Sequence, residues 1–161
     1  YMLFCCYCIR IKLHLVKFTD IQRAVKKYCD SEYTITIMRR MMYRIAEKIA
    51  ENNNYQVLLT GENIGQVSSQ TIENISTISS VVNIPVLRPL ITMNKQEIIK
   101  LAKNIGTYET SIQPYEDCCT IFIPEHPVIK PSIREAEENE SRIEVNNLIK
   151  KALETEEILN I

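Results

Sequence analysis

Ile11, Leu13 and Leu15 alternate with Lys12 and His14, and this period of two predicts a strand near the start of the chain. Thr19 followed by Gln22 reads as a capping box, so a short helix is expected directly after it. Across residues 34–52, Met38, Met41, Met42, Ile45, Ala46 and Ile49 recur at three- and four-residue steps, which predicts a long amphipathic helix with methionines on its core face. Val57, Leu58 and Leu59 form a continuous apolar run ending at Thr60 and Gly61, the pattern of a strand buried on both faces. Ile64, Val67, Thr71, Ile75 and Ile78 then fall on one side of a further helix. Residues 85–90 read as extended. Asn94 and Glu97 cap a helix carrying Ile98, Leu101, Ala102 and Ile105, and Gly106 closes it.

Strands alternating with helices predict a layered α/β domain, with a mostly parallel sheet joined by right-handed crossovers. Beyond Gly106 the chain passes Pro114, Pro124, Pro127 and Pro131, too many prolines for regular structure. The composition then turns acidic at Glu135, Glu137, Glu138 and Glu140, followed by a helical pattern through Val145, Leu148, Ile149 and Leu153. The expected division is therefore a domain over residues 1–133, then a solvated acidic linker and a terminal helix over 134–161.

Composition changes this picture little. The 161 residues are 45% hydrophobic, enough for one domain with a core, and their formal net charge of -1 supplies no general attraction for nucleic acid or anionic membrane. Contact with nucleic acid must be local or supplied elsewhere. Cysteines at 5, 6, 8, 29, 118 and 119 form neither a disulfide framework nor paired C-x-x-C metal spacing, which fits a reducing, cytoplasmic setting. The apolar run over residues 1–9 is shorter than a membrane span and is read as buried structure. No metal site is expected.

Three segments fall where an open parallel sheet binds ligands: MRRMM at 38–42, TGENIGQVSSQT at 60–71 and PYEDCCT at 114–120. Taken singly each has an ordinary structural reading, as a helix face, turn glycines and small buried thiols. Taken in order, with NIPVLRPL, an NKQEII helix start and IGTYETSIQPYEDCCT between and after them, they are far more specific. From about Arg10 to Pro131 the chain resembles the C-terminal part of the ATP-pyrophosphatase (PP-loop) domain of the tRNA 4-thiouridine synthetases, the sulfurtransferases also linked to thiamine biosynthesis.

That resemblance implies a three-layer, mostly parallel fold of the adenine-nucleotide-hydrolase type. It implies a tRNA sulfurtransferase in which ATP with Mg adenylates O4 of a tRNA uridine, and persulfide sulfur then displaces AMP to leave 4-thiouridine. Nucleotide contacts pass to Arg39, Gly61 and Gln70, and the sulfur-carrying cysteine to Cys118 in PYEDCCT. These residue types suit the roles: a guanidinium fork holds phosphate, a glycine admits a ligand to the backbone, and an amide reads a sugar or base edge. Glu116 and Asp117 oppose formation of a thiolate at Cys118, so its activation must come from elsewhere; Lys95, matching a lysine implicated in the family's activity, is one candidate. Implied partners are tRNA, bound through regions outside this sequence, a cysteine desulfurase as sulfur donor, and a second copy of the chain in a homodimer.

The sequence also departs from the family. Its Ser-Gly-Gly-x-Asp-Ser phosphate turn is not among these residues, whose glycines are Gly61, Gly65 and Gly106. The expectation is that these residues alone bind ATP weakly and adenylate no tRNA, because a pyrophosphate lacks the nest of backbone N–H groups it needs. A non-catalytic remnant and a persulfide carrier that works without ATP are the rival expectations.

Overall fold

The computed structural model describes residues 11–65, 70–114, 124 and 126–160. Its spine is the helix expected from the methionine pattern, α2 (Thr34–Asn52). Ile37, Met38, Met41 and Ile45 on its core face pack with Ile21 and Val25 of α1 (Thr19–Tyr28). Ala136 of α6 (Ile133–Glu140) and Ile149 and Ala152 of α7 (Val145–Leu153) complete the cluster. Burying each large side chain here contributes about 1.5–3 kcal/mol.

The other side of α2 faces α3 (Ile72–Ser79), whose Ile78 is fully buried. The Thr36 hydroxyl donates to Asn74 Oδ1 at 3.0 Å, and Asn74 Nδ2 donates onward to the Val128 and Ile129 carbonyls. With Thr77 Oγ1 donating to the Pro131 carbonyl at 2.9 Å, this fastens the end of the proline segment to α3.

The fold is mixed α/β, with two two-stranded sheets among the described residues. β1 (Lys12–Leu15) pairs antiparallel with β4 (Glu157–Asn160), joining the two ends of the described chain. β2 (Leu58–Leu59) pairs parallel with β3 (Val86–Leu87), with α3 as the intervening helix of the crossover. Backbone bonds from Leu58 to Pro85 and from Thr60 to Leu87 hold that pair in register. Helix α4 (Lys95–Asn104) begins with the expected box between Asn94 and Glu97, and Gly106 behind it takes the left-handed φ of +72° that favours glycine. It is followed by the short helix α5 (Tyr108–Ser111).

Several local expectations fail. Thr19 does not cap α1: Phe18 occupies that position with helical backbone angles and no side-chain cap. The helix expected from Ile64 starts only at Ile72, because Gly65 adopts φ +78° in a turn and the Thr71 side chain caps α3 by accepting from Asn74 N–H. Val67 lies outside the described residues. Leu59 is 69% exposed, not buried, since β2 has only β3 beside it among the described residues. A helical turn, α5, forms where none was expected.

The acidic stretch read as a solvated linker is helix α6, opened by a capping box between Ser132 and Glu135. Ala136 is fully buried, and Glu140 accepts from Arg40 and Arg44 of α2. Charge density alone suggested solvent, but the buried Arg40 gives this carboxylate an interior partner, with the half-buried Arg44 beside it.

Candidate active site

The loops leaving the carboxyl ends of β2 and β3 meet at one carboxylate. Thr60 to Gly65 follow β2, Arg88 follows β3, and between them Glu62 is only 4% exposed. Glu62 Oε1 accepts a short hydrogen bond from Arg39 Nη2. Its Oε2 accepts from Arg88 Nε at 2.6 Å, from the Tyr43 hydroxyl at 2.7 Å and from Thr60 Oγ1 at 3.1 Å. One donor thus meets Oε1 and three meet Oε2, so both oxygens of this carboxylate are engaged. Arg39 and Tyr43 are one turn apart on α2, which is why both reach the same acceptor.

Arg88 is itself fixed on several sides. Its guanidinium also donates to the Val86 carbonyl, the Tyr43 hydroxyl and Ser79 Oγ. Two guanidinium groups share one buried carboxylate at this end of the parallel pair.

Asn63 organises the next layer. Its Nδ2 donates to the Leu90 carbonyl at 2.6 Å and also to the Met93 carbonyl, while its N–H donates to Gln70 Oε1 at 3.4 Å. Ile64 N–H reaches the Ile91 carbonyl, and Gly65 N–H reaches the Gln70 carbonyl at 3.0 Å. The loop after β2 is thus sewn to the segment that leads into α4. A cleft of about 470 Å³ lies along this seam, lined in part by Asn63, Gly65, Thr92, Asn94 and Lys95.

Four of the residues singled out from sequence belong to this region. Arg39 is mostly covered and paired with Glu62. Gly61 precedes Glu62, is exposed, and a Cβ added there would meet nothing within 4 Å among the described residues, so the space beside its backbone is open on that side. Gln70 closes the loop onto Asn63. Lys95 is the exposed first residue of α4 and lines the cleft. The fifth, Cys118, and its neighbour Cys119 lie outside the described residues. Among the described residues no group of three or more His, Cys, Asp or Glu is placed to hold a metal ion.

Sequence reasoning passed over Glu62, Asn63 and Arg88. The signal was present in the segments TGENIGQVSSQT and NIPVLRPL, where charged or amide side chains follow short apolar runs at the ends of strands.

The chain matches the model of the thiamine biosynthesis protein (ThiI) family over residues 4–145. It belongs to the ThiI family. A ThiI relative from Halothermothrix orenii, named a probable tRNA sulfurtransferase, is 55% identical over 157 residues, 96% of this chain and 40% of the relative. A solved structure, described as a 4-thiouridine synthetase–RNA complex with bound ATP, superposes with a TM-score of 0.90 at 42% identity. That match covers 95% of this chain and 40% of the solved one. The chain therefore spans about two fifths of the length of these ThiI relatives. No helix among its described residues is long and apolar enough to cross a membrane.

Proposed function

We propose that this chain is the nucleotide- and sulfur-handling part of a tRNA sulfurtransferase that makes 4-thiouridine. The observation that carries this reading is the gathering of Arg39, Gly61 and Gln70 around Glu62 and Asn63, beyond the carboxyl ends of two parallel strands. Open α/β sheets bind nucleotides at such places. The bound ATP and RNA named for the solved relative support it. On this reading β2 and β3 belong to a larger, three-layer parallel sheet, residues 1–133 belong to its PP-loop domain, and the enzyme works in the cytoplasm as a homodimer.

The residues suit ATP. The Arg39 guanidinium offers donors to phosphate, the open space beside Gly61 admits the ligand to backbone, and Gln70 presents an amide to sugar or base. ATP brings Mg on its phosphates. Bound there, ATP activates a tRNA uridine: O4 attacks the α-phosphate and pyrophosphate leaves. Lys95, on the cleft beside Asn63, supplies positive charge to the oxygens of the adenylate.

Cys118 carries the sulfur. A cysteine desulfurase loads it as a persulfide, whose terminal sulfur bonds to C4 of the uridine as AMP departs with the C4–O bond. A second thiol, with Cys119 as candidate, then attacks the S–S bond, forming a disulfide with Cys118 and releasing 4-thiouridine. A thiol reductant resets the pair.

The test places Lys95→Ala or Cys118→Ser in the gene's own copy and measures 4-thiouridine in digested tRNA by mass spectrometry. Both variants should lose the modified nucleoside. Normal levels in either would remove that residue from the mechanism, and normal levels in both would overturn the reading. Sulfur uptake on Cys118 without any dependence of tRNA on it would favour a persulfide carrier.

A further inference from the structure

We infer that α4 carries an RNA-backbone surface, on which Lys100 and Lys103, continuing from Lys95 at the cleft, hold phosphates of the strand that enters the site. The inference rests on the reading of this chain as part of a tRNA sulfurtransferase, and it places a local RNA contact within these residues.

Ile98, Ile99 and Ala102 are the partly buried positions of α4 and turn towards the protein. Gln96, Lys100 and Lys103 follow at four- and three-residue steps, so they share one exposed face beside that seam. Lys95 begins the helix on the cleft, and Lys103 lies roughly 12 Å farther along the axis, at about 1.5 Å per residue. Phosphates recur about every 3.4 Å along a duplex strand, so this line meets several of them.

Charge commits the face to an anionic partner. Among the described residues none of these three lysines has a carboxylate partner, whereas Arg23, Lys48, Arg134 and Arg142, likewise exposed, each have one. Glu97, the one carboxylate of α4, accepts from Asn94 N–H in the capping box, and Glu109 of α5 pairs with none of the three. Lys100 and Lys103 are like charges three residues apart, an arrangement that weakens the bare helix and that a phosphate between them relieves. Lys103 Nζ already rests 4.8 Å from the centre of the Tyr108 ring, which reduces the freedom it loses on meeting an anion. Lys150 and Lys151 of α7 are exposed too, but Glu144 and Glu154 bracket that helix, and it shares its core with the acidic α6. Side chains meet the RNA phosphates here, so the surface does not call on the phosphate turn.

The experiment follows binding of a short fluorescein-labelled RNA hairpin by anisotropy between about 50 and 200 mM salt. The proteins are wild type, Lys100→Gln/Lys103→Gln, Lys100→Arg/Lys103→Arg and Lys150→Gln/Lys151→Gln. The first variant should bind roughly tenfold more weakly at the low-salt end and lower the slope of log K against log salt by about 1.4–1.8, as two phosphate contacts are lost. A hairpin of scrambled sequence should show the same loss. The arginine variant keeps both charges and should bind like wild type, as should the α7 variant. Lys100→Gln and Lys103→Gln singly, each with about half the change in slope, carry the test if the pair does not fold.

Unchanged binding in Lys100→Gln/Lys103→Gln, an equal loss in the α7 variant, or a loss in the arginine variant would overturn the inference. So would lysine-dependent binding to vesicles of phosphatidylserine and phosphatidylcholine that exceeds binding to RNA, which would make this face a membrane contact. If wild type binds no RNA, the inference falls, while the sulfurtransferase reading stands or falls separately on 4-thiouridine in the Lys95 and Cys118 variants.

Discussion

Arg40 and Glu140, 100 residues apart in sequence, are joined by two parallel hydrogen bonds of 2.9 Å, from Nε and Nη2 to the two carboxylate oxygens. Arg40 is 1% exposed, and its remaining Nη1 donates to the Thr77 carbonyl and Ser80 Oγ. Arg44 adds two further bonds to the same carboxylate. The pair closes α6 onto α2. Glu140→Ala leaves a buried guanidinium without its carboxylate and should destabilise the protein by about 3–5 kcal/mol. Denaturant unfolding measures it. A loss under about 1 kcal/mol would show that the seating of α6 does not depend on this pair.

Acid should unfold the protein partly through such groups. Burial alone would raise the Glu140 carboxyl, but hydrogen bonds and charge from Arg44 and Arg40 outweigh it and hold it below the usual range. Arg142 hydrogen bonds hold Asp30 low, and the Ser132 and Tyr33 hydroxyls hold Glu135 low. Each group binds fewer protons folded than unfolded. Its contribution is therefore complete above the ordinary carboxylate range and is lost as pH falls towards the folded value. Stability measured by urea unfolding should decline below about pH 4.5, and Arg142→Gln should make the decline shallower by removing the main cause that holds Asp30 low.

Cys29 should be a poor nucleophile. Burial pushes its thiol up to about 11, with Glu140 and Asp30 adding to the rise and Arg142 only partly opposing it. The thiol also donates to the Asn139 carbonyl at 3.5 Å. At pH 8 only about one thiol in a thousand is then ionised. Iodoacetamide should label Cys29 slowly, with a rate still climbing above pH 9, and label Cys118 faster. Equal rates would show that Cys118 is no more activated than a half-buried structural thiol.

Asn63 is the stitch between the β2 loop and the approach to α4. Asn63→Ala removes the donor to the Leu90 and Met93 carbonyls. It should cost about 1–3 kcal/mol if both carbonyls stay dry. Amide exchange at Ile64, whose N–H bonds the Ile91 carbonyl, should accelerate well beyond that at Ile37 in the core. Matched exchange at the two sites would show that the loop does not depend on Asn63.

Where one periodicity dominated, the chain was legible: α2 follows its methionine stripe, and α4 follows its capping box and terminal glycine. The Arg39, Gly61 and Gln70 positions came from motif order, and their grouping about Glu62 could not be read from spacing. Glu62 receives donors from α2, β2's end and β3's end, and only the folded crossover brings those together. Glu140 misled for the converse reason. In sequence it is one of four nearby glutamates, and only Arg40 and Arg44, far upstream, distinguish it from its solvated neighbours. The β1–β4 pairing escaped because its partners lie at opposite ends of the chain.

Sulfur on Cys118 tests the proposed function most directly. The protein is incubated with a cysteine desulfurase and cysteine, and the peptide spanning residues 115–130 is examined by mass spectrometry under non-reducing conditions. Wild type should gain one sulfane sulfur on Cys118, removable by a thiol reductant, and Cys118→Ser should gain none. Failure of wild type to take up sulfur there, or equal labelling of Cys118→Ser through Cys119, would contradict the assignment of Cys118 as the carrier.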